Sequence, residues 1–207
     1  MKKTVQTIRK SKGQRRLVAI TAYDAIFGEL ASRAGMDIIL VGDSVGNTML
    51  GHSTTLNVTV DVMVHHTAAV RRTEPESLLV ADLPFAQAHL AKEEVLQACT
   101  RLIQEGGAEA VKIEGNSNLE GTLNYLVDAG IPIMGHVGLL PQRVHTLGGY
   151  RKFGKTNEEH DSLLEDATAM QRAGCFAVIG EMIESKVAAE ITNSLIIPHI
   201  GIGSGPE

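Results

Sequence analysis

Seven short apolar runs recur along this chain of 207 residues, and successive runs are separated by longer stretches with helical periodicity. The runs fall at residues 16–23, 37–43, 77–83, 108–115, 131–138, 176–183 and 197–203. The helical stretches fall at 24–35, 57–73, 92–106, 118–130, 158–174 and 184–194. Apolar residues at consecutive rather than alternate positions belong to strands covered on both faces. Their alternation with helices requires parallel strands joined by crossovers. Glycines at 35, 106, 130 and 174 follow the last periodic residue of four helices, as left-handed C-terminal caps do, and Asp24 and Asn118 suit N-caps. No linker, low-complexity tract or charge block divides the chain.

Parallel α/β chains make either an open doubly wound sheet or a closed (β/α)₈ barrel. An open sheet gathers its polar groups at one switch point, whereas here a polar residue punctuates nearly every strand end, which favours a TIM barrel whose strands share one mouth. Such a barrel typically takes about 250 residues. The expectation is therefore a single (β/α)₈ barrel domain over 1–207, truncated after the seventh strand and lacking its last strand and helices. Its first and seventh strands would be bare edges unless something outside the chain covers them.

Composition narrows the function. Apolar residues make up 43%, aromatic residues 3% with no Trp, and the formal net charge is −5. That balance speaks against a nucleic-acid or anionic-membrane partner. The basic cluster at 9–16 reads as a solvated face rather than a phosphate-binding arm. Cys99 and Cys175 form neither a disulfide framework nor a zinc spacing and read as small buried residues. With no signal-like stretch and no run of about 18 apolar residues, a reduced, cytoplasmic setting is expected.

The strand ends carry the chemistry. In DIILVGDSVG a buried run meets Gly42, then Asp43 and Ser44. In LLVADLP an apolar strand is broken by Asp82, and a buried lone carboxylate is costly enough to demand a cation or strong donors. Lys112 and Glu114, two apart in AVKIEG, share one strand face. His136 falls in MGHVG and Glu181 in VIGEMI. Several carboxylates against one certain cation call for another positive charge, and hard oxygen ligands select magnesium or a similar ion. A metal on Asp43 and Asp82 would leave positions for a chelating 2-oxo acid and stabilise its enolate, with Glu181 outside the metal shell taking the α-proton. Each residue has a plainer reading: strand-end aspartates as caps, Lys112 with Glu114 as a structural ion pair or Lys112 as a Schiff-base nucleophile, His136 as a core histidine. The remaining histidines show no metal spacing, and the glycines of GIGSG give only a weak phosphate-cradle signal.

Taken together, ITAYDAIFGELA, LVGDSVGNTMLGHSTTLNVTVDVMVHHTAAVRR, LLVADLPF, AVKIEG, IPIMGHVGLLPQ, LGGYRKFGKT and IPHIGIGSG resemble the ketopantoate hydroxymethyltransferase family. The resemblance implies a (β/α)₈ barrel that transfers a hydroxymethyl group from 5,10-methylenetetrahydrofolate to 3-methyl-2-oxobutanoate, giving 2-dehydropantoate in pantothenate biosynthesis. It implies one Mg²⁺ per subunit on Asp43 and Asp82, with Glu114 a further metal-associated carboxylate. It also implies Ser44, Lys112 and His136 as oxo-acid contacts alongside the two aspartates, and Glu181 as the proton acceptor. A cytoplasmic homo-oligomer, commonly a decamer in bacteria, goes with the family. Two departures stand out: EMIES after Glu181 lacks the family's Val-Pro pair, and the family continues beyond GIGSG. Two other readings compete. One is a magnesium-dependent 2-oxo acid lyase or mutase of the phosphoenolpyruvate mutase and isocitrate lyase type, which would need a mouth-loop cysteine. The other is an inactive truncated paralogue.

Overall fold

The computed structural model describes residues 2–206. The chain divides into two compact units, Met1–Lys112 and Ile113–Glu207, with the division falling inside one strand. The N-terminal unit runs α1 (Val5–Lys10), β1 (Ala19–Thr21), α2 (Ala25–Arg33), β2 (Ile38–Val41), α3 (Val45–Thr48), α4 (Val60–Arg71), β3 (Leu78–Asp82), α5 (Lys92–Gln104) and β4 (Ala110–Glu114). The C-terminal unit takes the end of β4, then α6 (Glu120–Asp128), β5 (Ile133–Gly138), α7 (Val144–Leu147), α8 (Asn157–Arg172), β6 (Ala177–Glu181), α9 (Ser185–Ser194) and β7 (His199–Ile202).

The strand pairs are parallel, and strands adjoin in chain order, the connectivity of a (β/α) barrel. The expected fold class stands, with seven strands among the described residues. In the N-terminal unit, Ile38 to Val41 of β2 register with Leu78 to Ala81 of β3, and Val80 to Asp82 of β3 with Ala110 to Lys112 of β4. All five residues of β3 and all five of β4 are buried, the charged Asp82, Lys112 and Glu114 included. In the C-terminal unit, Met134 to Gly138 of β5 register with Ala177 to Glu181 of β6, which continues onto β7. No described helix is long and apolar enough to cross a membrane.

Helix α5 shows how sequence makes the outer layer. Val95, Ala98, Cys99 and Leu102 recur at helical spacing and are buried, while Glu93 and Glu94 occupy the first turn, where the helix dipole favours negative charge. Asp24 caps α2 through the Phe27 N–H, as expected. Two other cap assignments change. Asn118 lies inside a short 3₁₀ turn whose N-cap is Asn116, because Asn116 is extended and its amide oxygen reaches the Asn118 N–H. The left-handed residue after α5 is Gly107 (φ 74°), not Gly106, since the helix winds on through Glu105 before reversing.

The N-terminal segment adds a helix the apolar pattern did not reveal: α1 is held by a reciprocal capping box between Thr4 and Thr7. Around it the basic cluster is largely exposed, but Arg15 is committed. It makes a two-pronged contact with Asp37 at 2.8 and 2.9 Å, while the Val18 N–H (2.9 Å) and Lys3 Nζ (3.0 Å) reach the same carboxylate. Burial alone raises the Asp37 pKa, yet the hydrogen bonds from Arg15, Val18 and Lys3 outweigh it and hold it far below the ordinary carboxylate range. A depressed carboxylate stabilises the fold fully above its unfolded pKa of about 4 and loses that contribution as pH falls towards the folded value. Asp37→Asn should therefore lower stability by about 2 kcal/mol at neutral pH. The deficit relative to wild type should shrink below about pH 4, read from urea-unfolding midpoints across pH.

Candidate active site

In the N-terminal unit a polar cluster forms at the C-terminal tips of β2, β3 and β4. Asp82 ends β3 with 3% of its surface exposed. Parallel register sets Asp82 beside Lys112 on β4, and the Lys112 ammonium stands 2.7 Å from Asp82 Oδ1. Both side chains are almost fully buried, so the Coulombic attraction is poorly screened and each charge offsets the desolvation of the other. Asp82 Oδ2 accepts the backbone N–H of Asp43 at 3.0 Å, drawing the tip of β2 onto the same carboxylate. Oδ1, despite the nearby ammonium, accepts no directed hydrogen bond; charge alone holds it, and a lone pair remains for another Lewis acid.

Gly42 is what permits this approach. A Cβ there would lie 2.7 Å from Ser44 Oγ and 3.2 Å from Asp82 Oδ2. Asp43 is itself 3% exposed. Ser44 begins α3 but does not cap it with its side chain; its hydroxyl instead meets the Tyr23 phenol at 2.7 Å. Tyr23 was not singled out from sequence, though it lies at the end of the first predicted strand, where the rule that found Asp43 applies. His66 Nδ1 in turn contacts the Tyr23 carbonyl at 2.7 Å and so fixes that strand end.

The C-terminal unit holds a second cluster. Glu114 ends β4, His136 lies in β5 and Glu181 ends β6. His136 Nδ1 is 3.6 Å from Glu114 Oε1, and its Nε2 is 3.3 Å from Glu181 Oε2, so a buried imidazole sits between two carboxylates. Glu114 Oε2 also accepts the Gln142 N–H at 3.1 Å, from a residue just inside the LLPQ turn that sequence reading passed over. Glu181 is the accessible member, its side chain 22% exposed. The same unit holds a cavity of about 360 Å³, lined among others by Gly115, Gly138, Arg143, Arg151, Phe153 and Asp166.

The seven residues expected to carry chemistry thus fall into two constellations, Asp43, Ser44, Asp82 and Lys112 in one unit and Glu114, His136 and Glu181 in the other. Among the described residues no three His, Cys, Asp or Glu side chains form a ready metal cage. Magnesium does not need one, since it takes one or two carboxylates and completes its shell with water and substrate oxygens. Two buried carboxylates at neighbouring strand ends, Asp82 and Asp43, whose backbone N–H reaches Asp82 Oδ2, are compatible with that requirement. The cysteines take no part: Cys99 is within α5, Cys175 precedes β6, and burial pushes both thiols up to about 12.

Solved structures with this arrangement of strands and helices define the class. 2,3-Dimethylmalate lyase, a member of the PEP mutase/isocitrate lyase superfamily, superposes with a TM-score of 0.69 at 17% identity, covering 100% of this chain and 75% of its own. Phosphonopyruvate hydrolase gives 0.72 at 14% identity, covering 97% and 72%. At such low identity the likeness shows the fold alone, an α/β fold of TIM-barrel type. Sequence takes the assignment further. The family model for ketopantoate hydroxymethyltransferase matches residues 2–207. The 3-methyl-2-oxobutanoate hydroxymethyltransferase of Pelobacter propionicus is 47% identical over 207 residues, covering 100% of this chain and 77% of its own. That of Thermus thermophilus is 47% identical over 206 residues, covering 100% and 78%. That of Koribacter versatilis is 49% identical over 191 residues, covering 92% and 65%. The chain belongs to the ketopantoate hydroxymethyltransferase family.

If the Lys112–Asp82 pair is what makes a buried carboxylate tolerable at the tip of β3, Lys112→Met should destabilise the fold by about 3 kcal/mol, whereas Ser44→Ala should cost less than about 1 kcal/mol. Chemical denaturation of the two variants measures the contrast.

Proposed function

We propose that the chain transfers a hydroxymethyl group from 5,10-methylenetetrahydrofolate to 3-methyl-2-oxobutanoate, with one water consumed, giving 2-dehydropantoate. The observation that carries this reading is the buried Asp82 carboxylate, braced by Lys112 and by the Asp43 N–H, with Oδ1 accepting no hydrogen bond. Asp43 and Asp82 would hold a single Mg²⁺, with Glu114 associated with it, as the family resemblance implies. When bound, that ion would act as a Lewis acid on the keto carbonyl and lower the cost of an enolate at the adjacent carbon.

The chain's own groups do the rest. Lys112 supplies a fixed positive charge for the oxo-acid carboxylate, and Ser44, oriented by Tyr23, a hydroxyl. A lysine already committed to a carboxylate is poorly placed as a Schiff-base nucleophile, which favours the contact role. Glu181, partly exposed and touching His136, takes the proton from the carbon α to the ketone, and His136 orients both the carboxylate and the substrate. The carbanion then adds to the donor's one-carbon unit, which water releases from both folate nitrogens at the oxidation level of formaldehyde. Tetrahydrofolate leaves, and the oxygen of that water, once protonated, becomes the new hydroxyl. The cavity lined by Arg143, Arg151 and Phe153 has the size of a small-molecule site, which supports a bulky co-substrate entering from the C-terminal unit. A cytoplasmic homo-oligomer, a decamer as the family resemblance implies for bacteria, completes the proposal.

Exchange of the α-proton of 3-methyl-2-oxobutanoate with deuterium oxide, followed by NMR, tests the reading without folate. Asp82→Ala should lose metal-dependent exchange by at least about a hundredfold, and full exchange would contradict the metal assignment. Glu181→Gln should lose exchange by about 10²–10⁴-fold yet still bind the oxo acid, and loss of binding would point to a structural role.

A further inference from the structure

β6 ends at Glu181, and the next residue, Met182, takes a φ of 51°, in the left-handed region that side-chain-bearing residues rarely occupy. Strain of this kind persists only when the surroundings impose it, and it gathers at functional sites. Here the surroundings are identifiable. The Met182 N–H donates to the Ile202 carbonyl and the Met182 carbonyl accepts from the Phe153 N–H, both at 2.8 Å. Gly203, with φ +64°, lies where a Cβ would come within 2.6 Å of Met182 Sδ. The glycine-rich GIGSG segment therefore packs against the turn that carries Glu181.

Its serine does more than pack. Ser204 is 3% exposed. Its Oγ accepts the Ile183 N–H at 3.0 Å and lies 2.9 Å from the Gly180 carbonyl, to which its single proton can be given. The Ile202 carbonyl at 3.1 Å is the alternative acceptor. One buried hydroxyl thus joins the residue before Glu181 to the second residue after it. On the other side of the turn, the Leu139 N–H donates to the Glu181 carbonyl at 2.8 Å, and Gly138 leaves the room for that approach. Backbone on both flanks of Glu181 is fixed, with the side chain against His136.

We propose that Ser204 is a positioning residue for proton abstraction: its hydroxyl clamps the turn after β6 and so holds the Glu181 carboxylate at its place beside His136. This rests on the reading of Glu181 as the proton acceptor. A displaced base loses rate while the oxo acid, bound by other residues, keeps its affinity.

The test uses the α-proton exchange and the full transfer reaction of the whole chain. Ser204→Ala should lower kcat by about tenfold to a hundredfold while leaving KM for 3-methyl-2-oxobutanoate within about twofold. Ser204→Thr, which keeps the hydroxyl, should recover most of the rate. In a Glu181→Gln background Ser204→Ala should cause no further loss, because two residues acting as a unit are non-additive. If Ser204→Ala does not fold, Ser204→Cys, a weaker donor, is read in the same way. Wild-type kcat with only a lowered melting temperature, or the same fold-loss with and without Glu181, would overturn the proposal. Unchanged exchange in Glu181→Gln alone would instead overturn the reading of Glu181 as the base.

Discussion

Everything in the N-terminal constellation depends on a buried carboxylate that the fold has to tolerate. Asp82 lies at the end of five consecutive buried residues, where an isolated charge would be pushed towards its neutral form. Register solves the problem. Because β3 and β4 are parallel and aligned residue for residue, Lys112 is delivered beside Asp82, and the β2 turn adds a backbone donor. The cluster then has one firmly fixed cation, one buried acidic pair and an oxygen whose lone pair is not used in hydrogen bonding. Replacing such a buried pair with apolar residues is often no worse for stability, so stability alone is a weak reason for its presence.

The C-terminal constellation follows a different logic. Its histidine is buried between two glutamates, one anchored by the Gln142 N–H and one partly exposed. One carboxylate is anchored and the other left accessible, so the two acids stand in distinct environments. The accessible glutamate sits on a strained turn braced by the segment that follows β7. A segment distant in sequence therefore bears on the place of a single carboxylate.

Much of this was legible in the sequence. Buried strands advertise themselves as largely apolar runs, so β3 and β4 and the polar residues in them could be located from sequence. Strand limits came out too wide: of the run 16–23 only Ala19–Thr21 is strand in register with β2. Where two glycines adjoin, as at 106 and 107, composition cannot say which turns left-handed; the length of α5 decides. Helix α1 escaped notice because it is six residues long, is capped by Thr4 and Thr7, and buries a single apolar residue, Ile8, too few to show a helical period. Ser204 and Tyr23 act through hydrogen bonds to partners 21 residues away in sequence, and such partners cannot be read from local spacing.

Direct titration of Mn²⁺, as a spectroscopic stand-in for magnesium, followed by electron paramagnetic resonance with and without 3-methyl-2-oxobutanoate, tests the central claim most directly. The expected result is a single ion per chain, bound more tightly when the oxo acid is present, and lost when Asp43→Asn and Asp82→Asn are combined in a variant that still folds. Undiminished binding by that double variant, or affinity indifferent to the oxo acid, would contradict it.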